Sequence, residues 1–479
     1  MLKVFTSLCL RGIMHTKLSN IEEFVKMIDG KLINTSQKEL SNISGISTNS
    51  KEIKKGEIFI PLIGEKFDAH NFIDSALEKG SGTLFMKNKY SVSEDNINKG
   101  YFIEVDDTLS ALQLLGKNNR LLNTDMKIIG VTGSNGKTTT KEIMGAILSR
   151  LSDDVFISEK NLNNHIGVPL NLIKLTENIK YSVFEMGASA MGEIDLLASL
   201  VLPDISIITN IAPAHLEGFK TIENILKTKT EIFKHTKSVK IVNYDNQYLK
   251  KYADENKDVV KFGFENGSDL QIIELITRAT HKVMFKYKGK RYNFESILPG
   301  VHNIYNLLGA LLAVEALGFE MQELVNIIDK LDIEISGRLK KIEYKNHIVY
   351  DDSYNSNPLS MRAGIEYFYK DSEKTDKKTK KILILGEMKE LGEHSKFYHE
   401  DIGSFLNNYR FDEIFLIGNE SKHILSKLDF GISAKWFSNL DELIDVTMNL
   451  LTHNDKKAFY IKGSRGNKLD EIIKKIEEI

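Results

Sequence analysis

Apolar and polar positions change rhythm along the chain, and the changes mark out three zones. In the first, up to about Val105, short apolar runs alternate with turn-rich stretches. Glu57–Leu62 reads as a strand, and Phe72–Lys79 reads as a short amphipathic helix ending at Gly80, a residue suited to closing a helix. In the second zone, Leu109–Leu122 predicts a helix, Lys127–Thr132 a strand and Thr138–Arg150 a helix. Tyr181–Met186 and Ile205–Asn210 predict further strands, and this alternation points to a mainly parallel α/β sheet. From Ile272 to Ile297 the rhythm becomes period two, as in "HKVMFKYKGKRYNF", which predicts an antiparallel insertion. Asn303–Leu317 predicts a helix rich in Leu and Ala, closed by Gly318. The third zone begins near Ile333 with strands His347–Asp351, Lys381–Leu385, Glu413–Ile417 and Ala458–Lys462 between helical stretches. The charged run Asp371–Lys381 reads as a solvated loop. The expected fold class is α/β in three domains, 1–105, 106–331 and 332–479, the last a Rossmann-like unit. No Pro- or Ser-rich linker separates them, so the joints are short and suit domains that pack and hinge.

Composition narrows the classes. Over 479 residues, 42% hydrophobic and 27% charged content suits a globular protein and argues against a mostly disordered chain. Lys plus Arg total 64 against 66 for Asp plus Glu, so there is no global field to hold a polyanion, and nucleic acid is not an expected partner. The lone cysteine, Cys9, offers neither an intramolecular disulfide nor a Cys-rich zinc site, which fits a reducing, cytoplasmic setting. No apolar run reaches the ~18–20 residues that would span a bilayer. Met1–Asn20 carries Lys3, Arg11 and Lys17 with no acid, and could be a weak transit-type segment or the start of a secretory signal. Its apolar stretch is very short and no small-x-small cleavage site follows, so the preferred reading is a frayed extension ahead of a start at Met14.

The strongest chemical signal is "KIIGVTGSNGKTTT", Lys127 to Thr140. An apolar strand runs into Gly133, Ser134, Asn135, Gly136, Lys137, Thr138 and Thr139, then a helix. Glycines let the backbone turn its N–H groups onto phosphate oxygens, and the helix start adds its positive end. Lys137 supplies a mobile charge for the β- and γ-phosphates, and the Thr138 hydroxyl can ligate Mg²⁺. Val131 stands where the longer eight-residue loop has its first glycine, so this is the shorter T-G-x-x-G-K-[ST] form. Glu185 ends a neighbouring strand and is placed to hold Mg²⁺. His215 follows another strand as a metal ligand, a group supporting one, or a structural histidine. Lys229, in "KTKTEIF", is indistinguishable from a surface lysine on residue physics alone.

Together, "GVTGSNGKTTTKE", "NLNNHIGVPL", "FEMGAS", "TNIAPAHLEGF", "KTKTEIF", "PGVHNIYNLLGALLAVEALG", "SGRL", "DDSYNSNP", "ILGEMKELGEHS" and "IKGSRG" resemble the Mur ligases in order, from about Ile46 to Gly466. "DDSYNSNP" and "GEMKELGEHS" resemble the branch that joins D-alanyl-D-alanine to UDP-N-acetylmuramoyl-tripeptide in building peptidoglycan. The resemblance implies a first domain for the UDP substrate, a central P-loop ATPase domain, and a third that closes over ATP and brings the amine. It implies ATP as cosubstrate, two Mg²⁺ ions and a CO2-derived carbamate on Lys229. By resemblance, Lys137, Glu185, His215, Lys229 and Arg338 serve catalysis, with Thr138, Glu185, His215 and carbamylated Lys229 at the metals. His302, Asn303 and Asn306 resemble the adenine-side motif, and Asp352 and Asn355 resemble ribose and nucleotide contacts. Thr48, Asn49, Ser50, Asp68, His70, Asn163 and Asn164 are the implied substrate contacts. Where the family often has an acid and an arginine, this chain has Asn49 and Lys51, and His165 replaces a frequent glutamate. A monomer is expected. A sister ligase adding a diamino acid or glutamate, and a non-catalytic nucleotide switch, are the alternatives.

Overall fold

Three separate sheets organise the chain. In the computed structural model, residues 16–33 and 43–478 are described, apart from 160, 279, 332, 334, 336 and 376–378. Cys9 and the Met1–Met14 segment lie outside the described residues. The first sheet orders its strands Lys31–Leu32, Tyr101–Glu104, Gly82–Phe85, Glu57–Phe59 and Gly45–Ser47. All its pairings are parallel except Lys31–Leu32 with Tyr101–Glu104. The predicted strand Glu57–Leu62 is shorter, because Pro61 has no N–H to offer a ladder. The predicted helix Phe72–Lys79 is the α-helix Ile73–Leu77, entered through a 3-10 turn at Ala69–Phe72.

The helix Thr108–Leu122 is the joint to the central sheet. Asp107 caps it by accepting the Ser110 N–H at 2.6 Å. Ala111, Leu112 and Leu115 enter the apolar core with Leu84 and Ile103. On its other side, Asn119 Nδ2 donates to the Leu172 and Leu175 carbonyls at 2.7 and 3.0 Å. A packed helix therefore does what a linker would do, which is why the sequence shows none.

The central sheet has nine strands, from Lys290–Ser296 at one edge to Val155–Ile157 at the other, with Lys127–Thr132 between Ile205–Ile208 and Tyr181–Glu185. Leu270–Thr277, His281–Tyr287 and Lys290–Ser296 pair antiparallel, as the period-two pattern requires. They are not a separate layer: Leu270 pairs parallel with Phe262, so they extend the same sheet. Ile128, Ile129 and Val131 are fully buried, as expected of a strand covered on both faces.

The third sheet runs Lys340–Tyr344, His347–Asp352, Lys457–Lys462, Lys380–Gly386, Glu413–Ile417, Ala434–Phe437, parallel except for its first pair. The reading of Asp371–Lys381 as a solvated loop is corrected at its two ends; Glu373, Lys374 and Lys380 are exposed as expected, and residues 376–378 lie outside the described residues. Asp371–Thr375 is the last turn of the helix Pro358–Thr375, and Lys381 is a buried strand residue. Asp371 accepts the Tyr350 hydroxyl at 2.8 Å, and Lys381 ion-pairs with Glu373 at 2.5 Å. Charge density misled because these charges are neutralised locally. Among the described residues, no helix is long and apolar enough to cross a membrane.

Candidate active site

Between the central and third sheets lies a cleft of about 840 Å³ whose floor is the phosphate loop. The strand Lys127–Thr132 ends there and the helix Lys137–Leu151 begins. Gly136 sits at φ 80°, and a Cβ on it would meet Asn306 Oδ1 at 2.4 Å, so both backbone and space demand glycine. The loop is fixed from behind: the Ser134 N–H donates to the Asn210 carbonyl at 3.0 Å, and the Ser134 hydroxyl donates to the Ala212 carbonyl at 2.9 Å. Lys137 Nζ donates to the carbonyls of Gly133 and Ser134 at 2.9 and 3.3 Å. Burial pushes its pKa down, Glu185 opposes that, and Arg338 adds to it. This is a cation held with too few partners of opposite charge, as a polyphosphate site should be.

Glu185 is 2% exposed. Its Oε1 accepts Asn163 Nδ2 at 2.7 Å, while Oε2 is buried without a partner among the described residues. A buried carboxylate oxygen left unpaired costs free energy unless a cation or donor meets it, so the position fits a metal ion. Asn164 acts on the backbone instead: its Oδ1 accepts the Ile166 and Gly167 N–H groups at 3.1 and 2.8 Å, capping the following helix. His215 lies at φ 52° on the cleft wall, with Nδ1 against the Glu390 carboxylate. Lys229 does not line the cleft. It is 2% exposed, with Nζ 3.4 Å from the Ala188 carbonyl and 5.5 Å above the Phe219 ring. Burial, then the nearby Lys137 charge, hold its pKa well below the usual lysine range. The surface-lysine alternative is thereby excluded.

Arg338 arrives from the third sheet's side. Its Nη2 donates to Thr138 Oγ1 at 3.1 Å, and its guanidinium lies 4.7 Å from the Tyr354 ring centroid. Asp351 sets this up by accepting the Gly337 N–H at 3.1 Å, just before the arginine. Asp352 accepts Tyr460 Oη at 2.8 Å and Lys462 Nζ at 2.7 Å, and Lys462 also donates to the Asn355 carbonyl at 3.1 Å. Asn303 and Asn306 are joined, Asn306 Nδ2 donating to Asn303 Oδ1 at 2.9 Å, and His302 lines the same cleft. Gly364 packs its backbone onto this group: a Cβ there would meet Tyr460 Oη at 1.8 Å and Asp352 Oδ2 at 2.9 Å. Gly364→Ala is expected to displace Asp352, weakening ADP binding at least tenfold and costing about 1–3 kcal/mol of stability. Calorimetric ADP titration and a melting curve check both.

The structure gathers residues from four predicted groups into one cleft: the phosphate loop with Glu185 and His215, the pair Asn163 and Asn164, the adenine-side set His302, Asn303 and Asn306, and the third-domain set Arg338, Asp352 and Asn355. Thr48, Asn49, Ser50, Asp68 and His70 stand apart, in the first sheet's loops. Asn49 Oδ1 accepts the Lys51 N–H at 3.0 Å, leaving an exposed turn after Gly45–Ser47. His70 is 2% exposed with both ring nitrogens engaged, Nδ1 with Asp68 Oδ1 at 2.7 Å and Nε2 with the Met86 N–H at 3.3 Å. It is therefore corrected from a substrate contact to a support for Asp68. Sequence reasoning missed Tyr460, Lys462 and Glu390 as site residues. Glu390 and Lys462 sit in "GEMKELGEHS" and "IKGSRG", but nothing local says they face a nucleotide cleft.

Fold and site define a P-loop nucleotide-binding α/β protein in which a further α/β domain delivers an arginine to the phosphate loop. Residues 131–314 match the Mur ligase middle domain and 337–465 the Mur ligase, glutamate ligase domain. A UDP-N-acetylmuramoyl-tripeptide–D-alanyl-D-alanine ligase of Bacillus subtilis is 33% identical, covering 96% of this chain and 98% of that one. One from Buchnera aphidicola subsp. Acyrthosiphon pisum is 35% identical, covering 90% and 92%. Among solved structures, MurF from Acinetobacter baumannii superposes with a TM-score of 0.86 at 28% identity, covering 98% of this chain and 100% of that one. MurF from Thermotoga maritima in complex with ADP gives 0.76 at 28% identity, covering 90% and 97%. The chain belongs to the Mur ligase family.

Proposed function

We propose that this chain joins the amine of D-alanyl-D-alanine to the peptide carboxylate of UDP-N-acetylmuramoyl-tripeptide, with ATP converted to ADP and phosphate. The product is the UDP-linked pentapeptide used for peptidoglycan. It is an ATP-dependent ligase forming a C–N bond, and the relatives above are likewise named ligases. The observation that carries the reading is Arg338 reaching Thr138 across the cleft, beside the half-buried Lys137 and the buried Glu185. A carboxylate resists nucleophiles because of its charge. Transfer of the γ-phosphoryl onto its oxygen breaks the bond to ADP and leaves an acyl phosphate. The neutral amine then attacks the carbonyl carbon, phosphate departs with the C–O electrons, and the nitrogen gives up a proton. Two anions must meet in the first step. Lys137 and Arg338 offset that repulsion and hold charge on the transferring group. A closed cleft keeps water from the acyl phosphate.

Thr138, Glu185 and His215 would hold Mg²⁺. Among the described residues there is no group of three or more His, Cys, Asp or Glu side chains that could hold a metal ion, so phosphate oxygens and water would complete the coordination. When bound, the ion neutralises phosphate charge. A second ion would call on Lys229 as its carbamate, and burial pushes this amine toward the neutral form, the form that adds CO2. The UDP-linked substrate and ATP put the reaction in the cytoplasm, and one chain supplies every side chain named, as suits a monomer.

Phosphate release should require both peptide partners. The assay combines the full chain, ATP, Mg²⁺, UDP-N-acetylmuramoyl-tripeptide and D-alanyl-D-alanine, with mass spectrometry of the product. Release that ignores the dipeptide would sink the reading, and product formed with a diamino acid or glutamate in its place would move it to a sister reaction.

A further inference from the structure

The phosphate loop touches the third domain at a second point besides Arg338. Asn357 caps the helix Pro358–Thr375: its Oδ1 accepts the Ser360 N–H at 2.9 Å, and its carbonyl accepts the Met361 N–H at 2.9 Å. Pro358 takes the first helical position, where a missing N–H costs nothing. The cap fixes which end of the Asn357 amide is oxygen. The other end, Nδ2, donates to Asn135 Oδ1 in the phosphate loop at 2.7 Å. That contact in turn fixes the Asn135 amide, with its oxygen toward the third domain. Asn135 Nδ2 is then buried with no partner among the described residues. The Asn135 backbone is pinned on both sides. Its N–H donates to Asn210 Oδ1 at 2.8 Å, and its carbonyl accepts the Thr209 hydroxyl at 2.5 Å. The amide is thus the one part of the residue left to turn, and it carries an unspent donor in the loop that lines the cleft.

We propose that Asn357 is a positioning residue for phosphoryl transfer: through Asn135 it keeps an amide donor directed to the transferring γ-phosphoryl group. The inference rests on the ligase reading above. An anionic oxygen is the acceptor that fits a donor set among loop N–H groups and Lys137. Because the bridge joins two domains, the donor is aimed only when they meet, so closure and activation of the phosphoryl group are one event.

Two substitutions keep the helix cap and change the bridge. Asn357→Asp places an acceptor where the donor was. Asn135 must then turn its Nδ2 toward the new carboxylate and its oxygen toward the phosphate. Asn357→Ser still caps the helix but is too short to bridge. The full chain is assayed with ATP and both peptide partners, beside melting curves and calorimetric titration with ADP, which lacks the γ-phosphoryl group. Both variants should melt with the wild type and bind ADP within about twofold, while kcat falls about tenfold for Ser and about a hundredfold for Asp. Wild-type kcat in Asn357→Asp would overturn the proposal. So would ADP affinity or melting temperature falling in parallel with kcat, since that is what a merely structural role predicts. Absence of turnover in the wild type would instead count against the ligase reading, so the two failures are separable.

Discussion

Replacing Lys137 with alanine will lower kcat by at least about a thousandfold while the fold persists. The size follows from where the charge sits. Lys137 loses hydration, shares the cleft with Arg338, and among the described residues its direct partners are carbonyl oxygens. It is therefore a charge held ready for an anion, and its part in the folded state is two hydrogen bonds to its own loop. Removing it takes away charge stabilisation during transfer in a water-poor site, where one donor is commonly worth a factor of 10²–10³ and a full charge more. Stability should barely move, because a half-buried cation short of counter-charges adds little to the folded state. The expected result is a melting temperature within a few degrees of wild type and turnover at background. Turnover within tenfold of wild type would remove Lys137 from the phosphoryl step.

Lys229→Ala should also abolish turnover, by at least about a hundredfold, and short carboxylic acids should restore part of it. An ordinary lysine is neutral at pH 7 in roughly one molecule in a few thousand. Burial and the Lys137 charge push Lys229 far toward the neutral form, despite the opposing pull of Glu193, Glu231 and Glu185. Its neutral fraction rises accordingly, and with it the population able to take up CO2. The sign is fixed: acidification protonates the amine and lowers that population, so activity should fall as pH drops and respond to added bicarbonate. Alanine leaves a pocket that a small carboxylate can enter to stand in for the carbamate. Rescue is read as turnover against formate or acetate concentration, with chloride at equal ionic strength as control. Alanine-variant activity that ignores the acids would make Lys229 an ordinary buried amine.

The strand Lys127–Thr132 was legible because a fully apolar run followed by a glycine loop, Lys and Thr leaves few alternatives. Glu413–Ile417 matched to the residue because its apolar run, Ile414–Ile417, stops at Gly418. The antiparallel insertion was legible from period two, but its continuity with the parallel sheet was not, since the pairing of Phe262 with Leu270 depends on register in space. Asp371–Lys381 misread as a loop because charge marks solvent only when the partners are unknown. His70 misled in the opposite direction: the family resemblance implies a substrate contact, while burial and the Met86 N–H make it a strut.

By itself the sequence determined the phosphate loop, the α/β class, the three zones and the family resemblance, because each depends on residue types at short, fixed spacings. It could not determine which side chains meet across the cleft. Arg338 with Thr138 and Asn357 with Asn135 are about 200 residues apart in the chain, and only the folding of two sheets against each other brings them within hydrogen-bond reach. The same holds for Lys229. Its residue type was plain in the sequence, but its chemistry comes from burial beside Lys137, and desolvation is a property of the packed structure.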